Sequence, residues 1–332
     1  MTVPVARKLQ SAAAFWRQSA QAMLPLIFVV LCVLSLAVGA GGLGPEGLLR
    51  PTSEQLLILT ASRLPRLAAL VLTGVGLAVS GVLLQLILRN RFAEPATTGG
   101  MEAAKLGILC AITVLPASGP LLRMGFAIAF CLAASLFFVA LLQRLRFQDT
   151  ILVPVIGLMF GGILGAIAEF FALSQNNLQS MQSWMLGDFS RVVQGNYELI
   201  YLILPVVLLT YVFAQRFTLA AMGRDLAESL GLRYRRMVLL ALLLVSATVS
   251  ASVITVGTVP FVGLVVPNLV AIWHGDNLRQ TLPAVALTGA VLLLACDIFG
   301  RVVIYPYEVP IGLTVGAIGG LIFLLLILRV RR

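Results

Sequence analysis

Charge is what this chain has least of. Asp, Glu, Lys and Arg make up 11% of its 332 residues, against roughly a quarter in an ordinary soluble domain. There is one histidine, His274, and there are two lysines, Lys8 and Lys105. A single histidine leaves little from which to build a Ser/His/Asp set, which argues against hydrolytic chemistry of that type. Neither lysine stands in a G-x-x-x-x-G-K-[ST] loop, so the chain has no nucleotide-phosphate cradle of that kind. Cys32, Cys110, Cys131 and Cys296 lie in apolar stretches without metal-type spacing and read as inert thiols. A carrier of bare metal ions would need more soft or imidazole ligands, so no metal site is expected. No carboxylate pair or histidine relay marks a proton-driven carrier. Glu169, Asp297 and Glu308 are the acidic residues at the edges of apolar runs, and in sequence they read as scattered.

What the chain does have is apolar surface. Hydrophobic residues make up 60% of it and the mean hydropathy is +1.04. No soluble core of this length can hide that much, so lipid must be the solvent and the fold class is all-α integral membrane. Ten crossings are predicted, at about 23–42, 64–88, 103–116, 121–142, 151–173, 198–214, 237–256, 259–273, 282–303 and 309–328. The third and eighth are short and adjoin Pro or Gly, as tilted or broken helices lining a cavity do. Gly257 and Pro260 divide 237–273 into two helices. The first apolar run follows Arg7, Lys8 and Arg17 and ends at Ala37-Val38-Gly39-Ala40, as a signal peptide would. In a polytopic chain it is read as a retained span. The longest polar stretches, 43–63, 174–197 and 215–236, are too short for a soluble domain, so residues 1–332 form one transmembrane domain.

The net charge of +10 does not point to nucleic acid, because the 23 Lys and Arg are spread through short connections. With ten spans and an inner N-terminus, seventeen of them fall on the inside and six outside: Arg50, Arg63, Arg66, Arg123, Arg191 and Arg301. That asymmetry supports both the orientation and an even number of spans. Gly157, Gly161 and Gly165 share one helix face, and Gly312, Gly316 and Gly320 another; both read as close helix packing.

The inside stretch 215–236 contains Gly223-Arg224-Asp225-Leu226-Ala227-Glu228-Ser229-Leu230-Gly231. Asp225 to Leu230 form a short predicted helix with charged and apolar faces, stopped by Gly231. Such a helix suits a groove on a soluble partner. A solvated loop with arginines at the membrane surface is the other reading.

Gly223 to Gly231 resembles the coupling segment of the FecCD-type permeases, the iron-siderophore and vitamin B12 family of ATP-binding-cassette importers. Arg63-Leu64-Pro65-Arg66, with Ser80-Gly81 and Gln85, resembles that family's second helix. Phe261-Val262-Gly263-Leu264-Val265-Val266-Pro267 resembles its eighth. Asp297, Arg301, Glu308, Pro310 and Gly312 resemble its last two. The resemblance implies a BtuC-like, type II importer bundle and a non-catalytic subunit. It implies a second permease subunit, a paralogue rather than an identical copy, and two cytoplasmic ATPase subunits that bind ATP and Mg and dock on Gly223–Gly231. An extracytoplasmic binding protein would deliver the cargo to Arg63, Arg66 and Arg301, whose forks suit carboxylates. Snorkelling at helix ends is the bland role for the same arginines. Thr150 falls near the family's cytoplasmic gate; the other reading is that Asp149 or Thr150 caps the fifth helix. Trp184 and Gly187 match a family Trp-x-x-Gly pattern, and a membrane-interface anchor explains the Trp equally well.

Three stretches depart from the common pattern: Asn90-Arg91-Phe92-Ala93-Glu94-Pro95, Met101-Glu102-Ala103-Ala104-Lys105-Leu106-Gly107, and Asn268 after Val266-Pro267. With Gly275-Asp276-Asn277-Leu278-Arg279 and Ile304-Tyr305-Pro306-Tyr307-Glu308, they resemble the branch serving catecholate-type siderophores such as petrobactin, vibriobactin and anguibactin. The expectation is therefore a multi-pass subunit of the bacterial inner membrane, both termini cytoplasmic, through which iron passes as a siderophore chelate. The chain itself would bind no cofactor. A vitamin B12 or haem permease is the alternative within the family, and a secondary transporter the alternative outside it.

Overall fold

The computed structural model describes residues 23–38, 52–145, 152–274 and 278–330. Thr150, expected near a gate, and Gly275-Asp276-Asn277 lie outside the described residues. The regular structure is helical: α1 (Met23–Ala37), α2 (Ser53–Leu88), α3 (Gly100–Val114), α4 (Pro120–Leu145), α5 (Leu152–Ser174) and α6 (Leu178–Met185). A 3-10 turn at Glu198–Leu202 leads into α7 (Ile203–Val212), followed by α8 (Ala214–Ala221) and α9 (Arg224–Ser229). The chain closes with α10 (Tyr234–Val256), α11 (Val262–His274), α12 (Leu278–Val302) and α13 (Ile311–Val330).

Each of the ten predicted crossings overlaps a helix, and residues 39–42 of the first lie outside the described residues. Among the described residues, α2, α4, α5, α10 and α12 are long and apolar enough to cross a membrane alone. The stretch Glu198–Ala221 makes a sixth if it counts as one span bent by 64° between α7 and α8. The others are shorter. The 13 residues of α11 rise only about 20 Å, less than a hydrocarbon core of about 30 Å.

Two boundaries show the local chemistry. The second helix begins at Ser53 rather than at residue 64, because Thr52 caps it. The Thr52 hydroxyl accepts from the Gln55 amide at 3.4 Å and the Gln55 side chain accepts from the Thr52 amide at 3.0 Å. The helix then passes through a π turn at Leu59–Arg63 into Pro65, which lacks an N–H, and the Ala61 carbonyl four residues before it accepts from the Gln194 amide at 3.0 Å instead. The expected break after α10 is also present: Val256 ends the helix, Gly257 sits at φ +85° and Phe261 at φ +67°. The freed polar groups of this interior break find partners on the stretch after α6. The Asp188 amide donates to the Val256 carbonyl at 2.9 Å, and the Thr258 hydroxyl donates to the Met185 carbonyl at 2.7 Å. Buried irregular backbone survives only with such partners.

The core lies where α2 meets α10, α11 and α12. Gly74 and Gly289 bring α2 and α12 into backbone contact, and a Cβ at Gly74 would lie 2.5 Å from the Gly289 carbonyl oxygen. Gly157, Gly161 and Gly165 of α5 pack as expected, on Thr97, Gly99 and Glu102. The second glycine row behaves differently. Gly312 rests on Gly187, but a methyl group at Gly316 or Gly320 would meet no described atom within 4 Å. The outward side of α5, with Leu158, Met159, Ile163 and Phe170, is likewise exposed within this chain.

Candidate functional site

The residues singled out by sequence gather at the two ends of α2. Arg63 and Arg89 are separated along that helix by roughly 39 Å at ~1.5 Å per residue, more than a hydrocarbon core.

At the Arg89 end stands α9. Gly223 opens it at φ +116°, a backbone region that side chains other than hydrogen resist. A Cβ there would also collide with the Arg89 guanidinium, which lies over Gly223. The helix closes on Gly231 at φ +79°. The Leu232 amide donates to the Ala227 carbonyl at 2.9 Å and the Gly231 amide to the Glu228 carbonyl at 3.0 Å, the Schellman pattern. Between the glycines, Ala227 is buried while Leu226 and Leu230 stand exposed one turn apart. Arg224 pairs with Glu228 at 3.1 Å across the solvated side. Asp225 and Ser229 are also exposed. The result is a rigid, short helix offering two leucines framed by charge. It adjoins α8 and α10, and α8 in turn packs on α2 and α12. Behind it, a cavity of about 330 Å³ opens between α2, α11 and α12, lined by Gln85, Arg89, Arg91 and Asn268 among others.

At the other end the three arginines expected to face a partner meet, turned inward. Arg66 donates to Asp297 and to Glu308, both at 2.8 Å. Arg301 pairs with the other oxygen of Asp297, one helical turn before it. Arg301 also donates to the carbonyls of Ser35 (3.1 Å) and Val38 (2.7 Å) and to the Ser35 hydroxyl (2.8 Å). Arg63 donates to the carbonyls of Leu36 and Ala37. Two guanidiniums thus occupy the orphan carbonyls at the C-terminus of α1, where the helix dipole favours cations. Asp297 and Glu308, read in sequence as scattered, are joined by Arg66. The pairing was foreshadowed by the i, i+4 spacing of Asp297 and Arg301. Glu169 stays apart and exposed on α5.

Glu94 was read in sequence only as part of the Asn90–Pro95 departure, with no role of its own. Glu94, in the connection between α2 and α3, is fully buried and accepts from the Phe261 amide at 3.2 Å. Its neighbours tie the same connection to the bundle: Asn268 donates to the Arg91 carbonyl at 2.8 Å, and Phe92 meets Phe323 of α13 edge-on. The departures at Asn90–Pro95 and Asn268 therefore belong to one contact. Lys105 is buried on α3 in a pair with Glu102. Trp184 and Gly187 stand in the strip that fills the α10–α11 break, where the Trp184 and Leu186 carbonyls abut Gly257.

Compared with known families, residues 27–329 match the FecCD transport family. The chain belongs to that family. It is 55% identical over 306 residues to the ferric-anguibactin transport system permease protein FatD of Vibrio anguillarum, covering 92% of this chain and 97% of that protein. It is 44% identical over 304 residues to the petrobactin import system permease protein YclN of Bacillus subtilis, covering 92% and 96%. It is 30% identical over 326 residues to the vitamin B12 import system permease protein BtuC of Vibrio cholerae, covering 97% of each. The fold also matches the solved structure of a metal-chelate type ABC transporter in an inward-facing conformation, with a TM-score of 0.78 at 24% identity over 94% of this chain and 99% of that one. The FecCD assignment makes the chain a multi-pass, non-catalytic transport subunit.

Proposed function

We propose that this FecCD chain is a permease subunit of an ATP-driven importer that carries a ferric siderophore across the bacterial inner membrane. The observation that carries it is the 55% identity, sustained over nearly the whole length, to a ferric-anguibactin permease, against 30% to a vitamin B12 permease. The siderophore named for that relative, or a catecholate of the petrobactin kind named for the next, sets the class of cargo.

The geometry supports an external motor. Rigid α9, with Leu226 and Leu230 exposed between Arg224, Asp225 and Glu228, offers an ATPase groove an apolar plug with a charged rim. A push on α9 reaches α2 and α12 through α8. ATP and Mg stay on that partner. The termini and α9 are then cytoplasmic, and the Arg66–Asp297–Arg301 end faces outward. A second permease, a paralogue in this reading, covers the exposed faces of α5 and α13.

Docking of a binding protein at the outward end has less free guanidinium than the sequence promised. A partner carboxylate must compete with Asp297 and Glu308 for Arg66, and with the α1 carbonyls for Arg63 and Arg301. Arg66, at the rim beside half-exposed Glu308, is the accessible one.

The test is uptake of radioactive iron by cells lacking this gene, offered a panel of ferric chelates, with an ATPase-inactive strain alongside. Loss of uptake of one chelate class in both strains is expected. Uptake that survives loss of the gene, or ignores the ATPase, sinks the reading.

A further inference from the structure

Away from α9, a cavity of about 700 Å³ opens between α1, the outer half of α2 and the 3-10 turn that leads into α7. Ligand sites commonly have volumes of this order. Its wall follows α2 from Thr60 to Leu72, roughly 18 Å at ~1.5 Å per residue. Half of a hydrocarbon core of about 30 Å, one leaflet, has a similar depth.

The lining changes with depth. Its inner part is apolar, with Phe28 and Cys32 of α1, Ala68 and Val71 of α2 and Leu204 of α7. The mouth is polar, with Thr60, Gln194 and Glu198 beside the Tyr197 and Tyr201 hydroxyls, which lie 3.0 Å apart. One tyrosine O–H donates to the other oxygen, which leaves the second O–H to give. The Glu198 carboxylate accepts from the amides of Gly195 at 2.7 Å and Tyr197 at 3.1 Å, which hold it in place. It remains exposed and has no cationic partner among the described residues. No basic side chain lines the cavity. The arginines nearest in sequence turn away, Arg63 to the α1 carbonyls and Arg66 to Asp297 and Glu308.

We propose that this cavity holds one phospholipid of the outer leaflet with a primary-amine headgroup, its ammonium on Glu198, its phosphate beside the tyrosine hydroxyls and an acyl chain along α2. Depth and polarity together select a lipid: the cavity is polar at headgroup level and apolar for the length of one leaflet. Charge selects the headgroup. A carboxylate with no cation beside it attracts an ammonium and repels an anionic headgroup. A primary ammonium also donates N–H bonds to Glu198, which a quaternary amine cannot. The lipid would fill the gap between α1 and α7, below the point where Arg63 ties the end of α1 to α2. The site depends on the chain lying in a bilayer and not on the cargo it carries.

The test is native mass spectrometry of the purified full chain, released from nanodiscs of phosphatidylethanolamine, phosphatidylglycerol and phosphatidylcholine in equal parts. Wild type should retain one phosphatidylethanolamine, enriched about two- to fivefold over phosphatidylcholine, the range of one exposed ion pair. Glu198→Gln keeps an oxygen for the Gly195 amide, so it should still retain lipid but lose the enrichment. Ala68→Phe puts a ring into the apolar part and should lose the retained lipid. If that variant does not accumulate, Leu204→Trp fills the cavity from the exposed side of α7 and should do the same. Equal retention of the three lipids, a preference for phosphatidylglycerol, or a second copy of the chain retained in place of lipid overturns the proposal. So does a phosphatidylethanolamine preference unchanged in Glu198→Gln, or lipid retention unchanged in the filled variant.

Discussion

Asp297 carries two guanidiniums on one carboxylate in a site where its side chain is 2% exposed. Arg66 takes one oxygen at 2.8 Å and Arg301 the other, and Arg301 is itself 5% exposed. Changing Asp297 to Ala removes the carboxylate that pairs with Arg301 and leaves that cation buried beside Arg66. Removing one partner of a buried pair costs about 3–5 kcal/mol, because the surviving charge stays desolvated. Glu308 cannot compensate fully, since its side chain is 32% exposed and a pair of that kind is worth about 0–1 kcal/mol. The assay is an unfolding titration of the purified protein in mixed micelles, with a double-mutant cycle against Arg301→Met. Asp297→Ala should lose about 3–5 kcal/mol, and the double variant should lose less than the sum of the singles, because the unpaired charge is gone. The exposed Arg224–Glu228 pair is the control: Glu228→Gln should cost at most about 0.5 kcal/mol. If Asp297→Ala costs less than about 1 kcal/mol, or the cycle is additive, the cluster is not the clamp its geometry describes.

Further outcomes follow from other contacts. Gly223→Ala must place a methyl against Arg89 at φ +116°, so ATP-driven uptake should fall at least tenfold at normal membrane levels, and Arg89→Ala should restore part of it by removing the steric partner. Leu226→Asp and Leu230→Asp face solvent, so they should leave unfolding unchanged while abolishing capture of the ATPase in a pull-down from assembled complexes. Gly74→Val should prevent stable accumulation on immunoblots, since its branches have nowhere to go against the Gly289 backbone.

The helical bundle was legible because apolar runs and breakers are local signals. Gly257 and Pro260 marked a break that backbone angles show at Gly257 and Phe261. The short helix between Gly223 and Gly231 was legible for the same reason: its two glycines sit at positive φ and close it at both ends. The start of α2 was missed because a capping box at Thr52 and Gln55 hides within a polar stretch. The arginines were located but their direction was not. A sequence shows that Arg63, Arg66 and Arg301 lie at helix ends, whereas only the fold brings Asp297 within reach of Arg66, 231 residues away. Glu94 was given no role for a similar reason. Its partner amide belongs to a helix start 167 residues on, and nothing in Asn90–Pro95 signals burial. Gly316 and Gly320 show the limit of spacing arguments, because a small-residue face is the same in sequence whether it meets its own bundle or another chain.

The central claim is tested most directly by uptake into sealed vesicles that hold the assembled importer, binding protein outside and nucleotide inside. A radioactive ferric catecholate and radioactive cobalamin are offered in parallel, with ATP or a non-hydrolysable analogue. Accumulation of the iron chelate should require hydrolysable ATP and disappear with Leu226→Asp, and cobalamin should accumulate little. Equal uptake of both cargoes contradicts the siderophore assignment, and uptake indifferent to ATP or to Leu226 contradicts a passive path driven through α9.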